Sequence, residues 1–272
     1  MINFNGIMLD ESKAMLNANN RAFNYGDALF ETLKIVNSKI YYLEDHYFRL
    51  MASMRMLRME IPLNFTMEFF ESELLNTAEQ NNLESARVRL TVFRKDGGLY
   101  NPTSNQIDYL IVASPLNILV KEKYSVDIFK DYYLNSDILS TIKTTNKIIN
   151  VLASIYASEN GFDNCILVNE RKQVVEAING NIFMVKGNTI KTPPITEGCI
   201  KGITRKKIIE IVSKSDDYSI EETEISPFEL QKADEIFITN VIVGIQPITQ
   251  YKKAAFGTKV SSALALELSK LI

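Results

Sequence analysis

The chain has 272 residues, which is enough to bury a sizeable core and to form two domains. Its 46% hydrophobic and 23% charged residues are typical of a soluble globular protein, and the formal net charge of −3 gives no reason to expect binding to nucleic acid or a membrane surface. The first residues, "MINFNGIML", have no basic segment, and no apolar stretch could span a bilayer, so we expect neither a signal peptide nor a membrane segment.

The first part of the chain alternates between predicted strands and amphipathic helices. An Asn-Gly pair at residues 5–6 is typical of a tight hairpin turn. Apolar residues at helical spacing predict a helix over 44–59 that Pro62 closes. The other predicted elements are two strands joined near Asn37-Ser38, a helix in "TMEFFESELLNTAEQNN", and strands in "ARVRLTVF" and "DYLIVAS".

Pro115 and the stretch "LNILVKEKYS" mark the predicted domain boundary. We expect a small N-terminal domain at 1–117, a linker at 118–124 and a larger C-terminal domain at 125–272. The elements predicted in the larger domain are a strand in "SVDIFKDYY", a helix over 146–158, short strands over 164–192, a helix over 204–214, a capping box at Ser226 and Glu229, a strand in "ADEIFITN" and a helix from Thr258. Because strands and helices are mixed rather than strictly alternating, the predicted class is α+β, or irregular α/β, in two layers.

Residues 198–205 read "GCIKGITR" and lead directly into an apolar helix. Unpaired N–H groups and the positive end of the dipole lie at a helix start, and glycines there let a ligand approach the backbone. With the Thr204 hydroxyl as a further donor, this arrangement favours an anion such as phosphate. The alternative is a tight turn in which Thr204 is the N-cap, and on these residues alone it is the commoner arrangement.

Few residue types are available for catalysis. His46 is the only histidine, so a multi-histidine metal site within one chain is impossible and a Ser–His–Asp triad would have to use it. The two cysteines, Cys165 and Cys199, lack metal-site spacing and indicate a reducing, cytoplasmic environment. We therefore expect no metal, and lysine and carboxylates must carry any chemistry.

Lys143, in "STIKTTNKIIN", lies between a strand-like stretch and a helix. A lysine that points into a cleft there loses hydration, has its pKa lowered and can form a Schiff base; a solvated lysine is the ordinary alternative, and Lys147 competes with it. Glu176, in "VVEAINGNIF", is either an outward-facing strand residue or a buried carboxylate with a cationic partner such as a pyridinium nitrogen. A phosphate cradle, such a lysine and such a carboxylate are together what pyridoxal 5′-phosphate requires.

The order of these features resembles the signature of the class IV pyridoxal-phosphate-dependent aminotransferases. The segment "EAINGNIFMVKGNTIKTPPITEGCIKGITRK" has the family's Glu, its Asn-Ile-Phe at 181–183, its apolar-x-Thr at 190–192 and its glycine-containing turn at 200–205. Four further blocks of the family are similar to "NRAFNYGDALFETLKI", "LEDHYFRLMASMRML", "IKTTNKIINVLA" and "ADEIFITNVIVGIQPI". The resemblance covers about residues 5–247.

The resemblance implies a role for each matched residue. Lys143, preferred over Lys147 by its Lys-x-x-Asn spacing, would hold pyridoxal 5′-phosphate as a Schiff base and move protons as general acid and base. Glu176 would lie at the ring nitrogen. The implied phosphate ligands are Arg49, the backbone amides of Ile203 and Thr204 with the Thr204 hydroxyl, and groups near Asn240 and Val241.

Three aromatic or polar side chains near these blocks are less specific. Phe30 and Tyr100 are candidates to line the substrate pocket, although both could be ordinary packing aromatics. His46 is expected to position its helix, because nothing assigns it a proton-transfer role.

The resemblance also implies a fold and an assembly. The fold would be that of the fold-type IV, D-amino-acid-aminotransferase-like enzymes, with a small N-terminal α/β domain, a larger C-terminal domain on a barrel-like sheet, and the cofactor in the cleft between them. Family members are homodimers whose site borrows loops from the partner chain. The domain boundary predicted after Pro115 fits that plan.

Within the family, the sequence favours the lyase branch, which converts 4-amino-4-deoxychorismate to 4-aminobenzoate and pyruvate in folate biosynthesis. The chain is short, Asn240 in "TNVIVGIQP" resembles the lyase form of the late block, and "KTTNK" has a basic residue where aminotransferases more often have Tyr or Leu. The loop "RKDGGLYNPTS" lacks the Arg and His clamp of the D-amino-acid enzymes. A branched-chain or other amino-acid aminotransferase is the alternative, and a non-catalytic binding protein, disfavoured by the presence of Lys143 and Glu176, is the third hypothesis.

Overall fold

The computed structural model describes residues 1–13 and 17–271 and divides into two compact units. The first unit comprises Met1–Asn117 with Lys143–Asn146, and the second comprises Ile118–Ile142 with Lys147–Ile272. The stretch 118–124, predicted as a linker, therefore belongs to the second unit. Both units contain helices and strands, and the predicted α+β class is confirmed.

The helices and strands follow one another in short segments. The strands are β1 (Ile2–Phe4), β2 (Ile7–Leu9), β3 (Ala28–Val36), β4 (Lys39–Ile40), β5 (Ala86–Arg94), β6 (Ile107–Pro115), β7 (Ser125–Ile128), β8 (Asn164–Val168), β9 (Val174–Ala177), β10 (Asn181–Lys186), β11 (Thr189–Thr192), β12 (Ser219–Glu222), β13 (Glu235–Asn240), β14 (Gly244–Ile248), β15 (Gln250–Tyr251) and β16 (Ala254–Ala255). The α-helices are α1 (Arg21–Tyr25), α2 (Leu43–Met56), α3 (Met67–Glu79), α4 (Ile148–Glu159), α5 (Ile203–Val212), α6 (Pro227–Leu230) and α7 (Lys259–Ser269).

The first unit is built on a six-stranded antiparallel sheet in the order β2-β1-β6-β5-β3-β4. The predicted hairpin turn between β1 and β2 is confirmed, since Asn5 and Gly6 both have positive φ, at 52° and 84°, as a tight turn of this kind requires. Helices α2 and α3 cover the sheet, and their apolar faces are buried with the inward residues of the strands. This packing holds the backbones of β3 and α2 against each other.

The end of α2 differs from its prediction. The helix stops at Met56 rather than continuing to residue 59, because Leu57 leaves the helical conformation and Arg58 adopts a left-handed one, with φ of 55°. The chain thus turns away before it reaches Pro62. A residue in the left-handed conformation commonly ends a helix, but it is usually glycine, so an arginine at this position does not predict the helix end.

The second unit contains two five-stranded sheets, in the orders β12-β11-β10-β13-β14 and β16-β15-β7-β8-β9. Ile166, Ile182 and Ile238 belong to one buried apolar cluster with residues of both sheets. Helix α4 packs on β8 through Ala153 and Ala157, and α7 packs on β13 and β14. The predicted capping box is confirmed, with Ser226 accepting from the Glu229 backbone and the Glu229 side chain accepting from the Ser226 backbone.

Within residues 1–13 and 17–271, no helix combines the length and the apolar character that crossing a membrane requires.

Candidate active site

Residues 143–145 lie beside the first residues of β3 in the first unit. The Phe30 N–H donates to the Lys143 carbonyl at 2.9 Å, and the Thr145 N–H donates to the Ala28 carbonyl at 3.0 Å. Leu29 and Thr144 form an antiparallel bridge. Strand β4 pairs only with the far end of β3, so this side of β3 is open to the segment, which holds the Lys143 backbone in a fixed register.

The Lys143 side chain lies over an aromatic ring. Its Nζ is 4.1 Å from the centroid of the Phe30 ring, and the guanidinium carbon of Arg89 is 3.8 Å from the same centroid. The face of an aromatic ring attracts cations, so these contacts favour one orientation of each side chain. Lys143 is half-buried.

Arg49 is held by a buried carboxylate. Its Nε donates to Glu31 Oε1 at 2.8 Å and its Nη2 donates to Glu31 Oε2. His46 Nδ1 lies 2.7 Å from the same Oε2, and His46 Nε2 is buried with no partner among the described residues. As expected, His46 is structural in its contacts, because it connects the start of α2 to β3.

Charge and burial oppose each other in this cluster. Burial acts to raise the pKa of Glu31, but the Arg49 guanidinium and the His46 hydrogen bond outweigh it and lower the pKa to about 2. Burial lowers the pKa of His46. The positive charges of Arg49 and Lys143 also lower it, whereas the hydrogen bond and the charge of Glu31 raise it. Glu31 is therefore ionised and binds Arg49 as a fixed anion.

No role was predicted for Glu31 from the sequence. The signal was present, since a glutamate in the apolar strand "ALFETLKIV" must either face solvent or find a cation. What the sequence lacks is the partner, because Arg49 and His46 come from the following helix and reach Glu31 only through tertiary packing.

In the second unit, Glu176 is a buried carboxylate. It is 5% exposed on β9, a strand whose four residues are all buried, so the interpretation as an outward-facing strand residue is wrong. Its Oε2 accepts the Ile200 N–H at 3.0 Å. Lys147, in the same unit, has its pKa lowered by burial, and the Glu176 carboxylate opposes that shift.

The turn that Glu176 contacts opens α5. Gly202 is the N-cap of this helix and supplies no side chain, so the first-turn N–H groups have no capping acceptor within the cap residue. The expected alternative with Thr204 as the N-cap is wrong: Thr204 is the second helical residue, 2% exposed, and its Oγ1 has no hydrogen-bond partner among the described residues. Asn181, which the sequence analysis noted only as part of a motif, supports the turn by donating from Nδ2 to the Ile200 carbonyl at 2.9 Å.

The other residues of this turn are occupied in structural contacts. Arg205 Nη2 donates to the Pro193 carbonyl at 2.9 Å and to Glu222 Oε2 at 2.5 Å. Burial raises the pKa of the Cys199 thiol to about 12, which excludes a thiolate nucleophile at neutral pH. The donors left at this turn are the N–H groups at the start of α5 and the buried Thr204 hydroxyl.

Asn240 shapes the end of β13. Its Oδ1 accepts the N–H groups of Ile242 and Val243 at 3.1 and 3.0 Å. Val241 is half-buried in the same turn. The side-chain oxygen of Asn240 is therefore used to fix the backbone geometry of this turn.

The two remaining predicted residues differ in setting. Phe30 is buried beside Lys143, whereas Tyr100 is 89% exposed, with its ring centroid 5.6 Å from that of Tyr25. Arg21 donates to the carbonyls of Gly97 and Leu99 and so holds the loop that carries Tyr100. Among residues 1–13 and 17–271 there is no group of three or more His, Cys, Asp or Glu side chains suited to a metal ion.

The second unit provides a donor set that fits a phosphate monoester. The start of α5 offers backbone N–H groups at the positive end of a helix dipole, and the buried Thr204 hydroxyl lacks a partner. The carboxylate of Glu176 is bonded to the residue two positions before the N-cap. A ligand with an anionic end and a basic ring nitrogen matches both groups.

Most of the chain matches a known family. Residues 28–251 match the family model for amino-transferase class IV. A protein named as a branched-chain-amino-acid aminotransferase in Methanocaldococcus jannaschii is 30% identical over 276 residues, covering 99% of this chain and 94% of its own. A D-alanine aminotransferase of Bacillus licheniformis is 27% identical, covering 94% of this chain and 89% of its own.

An aminodeoxychorismate lyase of Vibrio harveyi is 24% identical over 236 residues, covering 84% of each chain. Among solved structures, the branched-chain aminotransferase of Thermoproteus uzoniensis crystallised with norvaline superposes with a TM-score of 0.91 at 23% identity, covering 99% of this chain and 93% of its own. The structural similarity establishes the fold that the resemblance implied.

Proposed function

The chain belongs to the class IV aminotransferase family, and from this premise we propose that it is an aminotransferase acting on branched-chain or other amino acids. Enzymes of the family use pyridoxal 5′-phosphate. The observation that carries the proposal is the link between Glu176 and the start of α5, because it joins a buried carboxylate to an anion-binding helix start. The 30% identity to the Methanocaldococcus jannaschii protein over nearly the whole chain supports the substrate class.

We assign a task to each predicted cofactor-binding residue. When bound, pyridoxal 5′-phosphate supplies an aldehyde and an electron-withdrawing ring. Lys143 provides the amine that anchors the cofactor and carries protons as general acid and base. Glu176 holds the proton on the ring nitrogen, because a carboxylate beside that nitrogen favours its charged form.

The phosphate is assigned to donors from several segments. Ile203 and Thr204 offer their N–H groups, and Thr204 adds its hydroxyl. Backbone groups at Asn240 and Val241 and the Arg49 guanidinium complete the proposed set. Because Glu31 fixes Arg49 with two hydrogen bonds, the guanidinium is held in one orientation before any ligand arrives.

A second candidate function is the aminodeoxychorismate lyase that the sequence motifs favour. Asn240 favours it, since this residue resembles the lyase form of the late block. Similarity along the whole chain favours the aminotransferase instead, at 30% identity to the Methanocaldococcus jannaschii relative against 24% to the Vibrio harveyi lyase. We therefore place the aminotransferase first.

A paired assay separates the two functions. The full chain is supplied with leucine, isoleucine or valine and 2-oxoglutarate, and separately with 4-amino-4-deoxychorismate; D-alanine serves as a third donor. We expect glutamate from the branched-chain donors and neither pyruvate nor 4-aminobenzoate from the aminodeoxychorismate. Production of 4-aminobenzoate with no transamination would reverse the order, and Lys143→Ala must abolish whichever activity is found.

We also propose that the enzyme is a cytoplasmic homodimer, as the family resemblance implies. The exposure of Tyr100 supports this, because a pocket aromatic that is 89% exposed in one chain needs a second surface to be enclosed. Light scattering on the purified chain at micromolar concentration should give twice the chain mass of 30.9 kDa. A monomeric mass with full activity would contradict the proposal.

A further inference from the structure

Two hydroxyl groups in the interior of the second unit have no hydrogen-bond partner among the residues that the structure describes. They are Oγ1 of Thr204, in the first turn of α5, and Oγ1 of Thr239, next to the last residue of β13. Each residue is only 2% exposed. Burying a hydroxyl without a partner is unfavourable, so such a group in a native protein calls for a ligand or a bound water.

The sheet register brings Thr239 to the start of α5. Thr239 pairs directly with Asn181 across β13 and β10, and directly paired residues of antiparallel strands carry their side chains on the same face of the sheet. The Asn181 amide lies against the N-cap, because its Oδ1 is 1.9 Å from the position that a Cβ on Gly202 would take. The Thr239 hydroxyl therefore lies on the sheet face that supports the N-cap of α5.

The groups around this point are mostly donors. The α5 start has N–H groups that no N-cap side chain satisfies, and the Asn181 Nδ2 already donates to the Ile200 carbonyl. The two threonine hydroxyls add further donors. An anion with several oxygen atoms would accept hydrogen bonds from the N–H groups at the helix start and from the two hydroxyls.

We propose that the Thr239 hydroxyl is a ligand of the anion that binds at the start of α5, together with Thr204. This inference rests on the proposed function, in which that anion is the cofactor phosphate, and it adds a binding residue to the set. The contribution predicted for the late block is that of backbone groups near Asn240 and Val241. Asn240 Oδ1 is engaged with its own turn, whereas the buried Thr239 hydroxyl at the same strand end has no hydrogen-bond partner among the described residues.

Thr239→Val tests the proposal, because valine keeps the shape and removes the hydroxyl. Thr192→Val is the matched control: Thr192 is equally buried in the same unit, but its hydroxyl donates to the Ile182 carbonyl at 2.8 Å. Two quantities are measured on the full chain after the cofactor is stripped: the Kd of added pyridoxal 5′-phosphate, and the rise in Tm caused by inorganic phosphate.

We expect Thr239→Val to raise the Kd by about tenfold and to reduce the phosphate-induced rise in Tm, since one hydrogen bond to a charged group is lost. Without ligand its Tm should equal or exceed that of the wild type, because an unsatisfied hydroxyl has been removed. Thr192→Val should lower the ligand-free Tm and leave the Kd unchanged. Thr239→Ser should restore binding, which separates loss of the hydroxyl from misfolding.

Unchanged Kd and an unchanged phosphate effect in Thr239→Val would overturn the inference and assign the hydroxyl to a buried water. The proposed function fails separately, by the absence of a lysine-bound cofactor absorbance band in the wild type. In that case a reduced phosphate effect in Thr239→Val would still support Thr239 as an anion ligand.

Discussion

The guanidinium of Arg49 and the carboxylate of Glu31 are joined by two hydrogen bonds inside the first unit, with side chains 12% and 2% exposed. An ion pair buried to this degree is stable only while both partners remain charged. Arg49 does not lose its charge in the accessible pH range, so Glu31 is the partner that titrates.

Glu31→Gln should destabilise the protein and reduce the pH dependence of its unfolding free energy. The folded state lowers the Glu31 pKa from 4.5 to about 2, so the unfolded chain binds more protons between these values. The stabilisation is fully present above pH 4.5 and is lost as the pH falls toward 2; it amounts to about 3 kcal/mol. Denaturant unfolding at pH 7 and pH 3.5 measures the effect.

The control for this measurement is Glu79→Gln, which changes an exposed residue at the end of α3. We expect its unfolding free energy to follow the wild type at both pH values. If the unfolding free energy of Glu31→Gln fell between pH 7 and pH 3.5 by as much as that of the wild type, protonation of the Glu31 carboxylate would not be what weakens the first unit. Burial of His46, which lowers its pKa, would then be one other source of acid sensitivity in the first unit.

The lysine that binds the cofactor covalently can be identified by chemical reduction. Borohydride converts a lysine Schiff base to a stable secondary amine, and we expect the modified peptide to carry the label on Lys143. Lys147 is the meaningful competitor, because burial lowers its pKa and makes its amine more reactive. Lys147→Met should keep the label and Lys143→Ala should lose it, as mass spectrometry of the digested protein will show.

Label on Lys147 in the wild type would contradict the assignment and move the anchor to the second unit. Label on both lysines only at high cofactor concentration would indicate adventitious reaction. The same samples give the visible absorbance of the bound cofactor, so binding and attachment are measured together.

Local elements could be predicted because their signals are contained in neighbouring residues. The Asn5-Gly6 turn needs two positive φ values, which these residue types tolerate, and the Ser226–Glu229 capping box needs only a spacing of three. The candidate site was partly predictable for a different reason. Its residues occur in an ordered series of motifs, and Glu176 shows the buried setting that such a role requires.

The remaining features depend on contacts between distant segments. Nothing near Lys143 in the sequence indicates that its backbone joins β3, because the open side of β3 arises from the shortness of β4. Gly202 was not predicted as the N-cap, since Ser and Thr are the usual caps and Thr204 was available. The role of Glu31 requires a helix that begins twelve residues later to fold back onto its strand.

Gly202→Ala should disturb the start of α5 through a steric clash. The new Cβ would lie 1.9 Å from Asn181 Oδ1, so the amide must move and its bond to the Ile200 carbonyl is lost. The backbone of Gly202 has φ of −67°, which alanine adopts freely, so the effect is packing alone. We expect a loss of about 1–3 kcal/mol in unfolding free energy and weaker binding of the cofactor.

Gly257→Ala is the control, because its nearest neighbour would lie at an ordinary 3.6 Å. Adding Asn181→Ala to Gly202→Ala removes the clashing amide. The two changes should therefore be non-additive, with the double variant more stable than the sum of the single effects. Strict additivity would show that Gly202 and Asn181 do not share the contact.

Helix α7 depends on a buried carboxylate from β13. Glu235 Oε1 accepts the Val260 N–H at 2.8 Å, and its Oε2 accepts the N–H and hydroxyl of Ser261 at 3.0 and 2.9 Å. The N-cap residue Thr258 makes no capping hydrogen bond with its side chain, so Glu235 takes over that task from a neighbouring strand. A negative charge at this position also interacts favourably with the helix dipole.

Glu235→Gln should lower the unfolding free energy by about 2 kcal/mol. The side-chain NH₂ of glutamine is a hydrogen-bond donor, and it would lie against the donors of Val260 or Ser261. Asp234→Asn is the matched control at the preceding residue, whose carboxylate is exposed and bonds to Lys186 and the Gly187 N–H. Hydrogen exchange should rise in α7 for Glu235→Gln and remain unchanged there for Asp234→Asn. Equal losses of stability and equal exchange in the two variants would show that α7 holds its first turn without the buried charge.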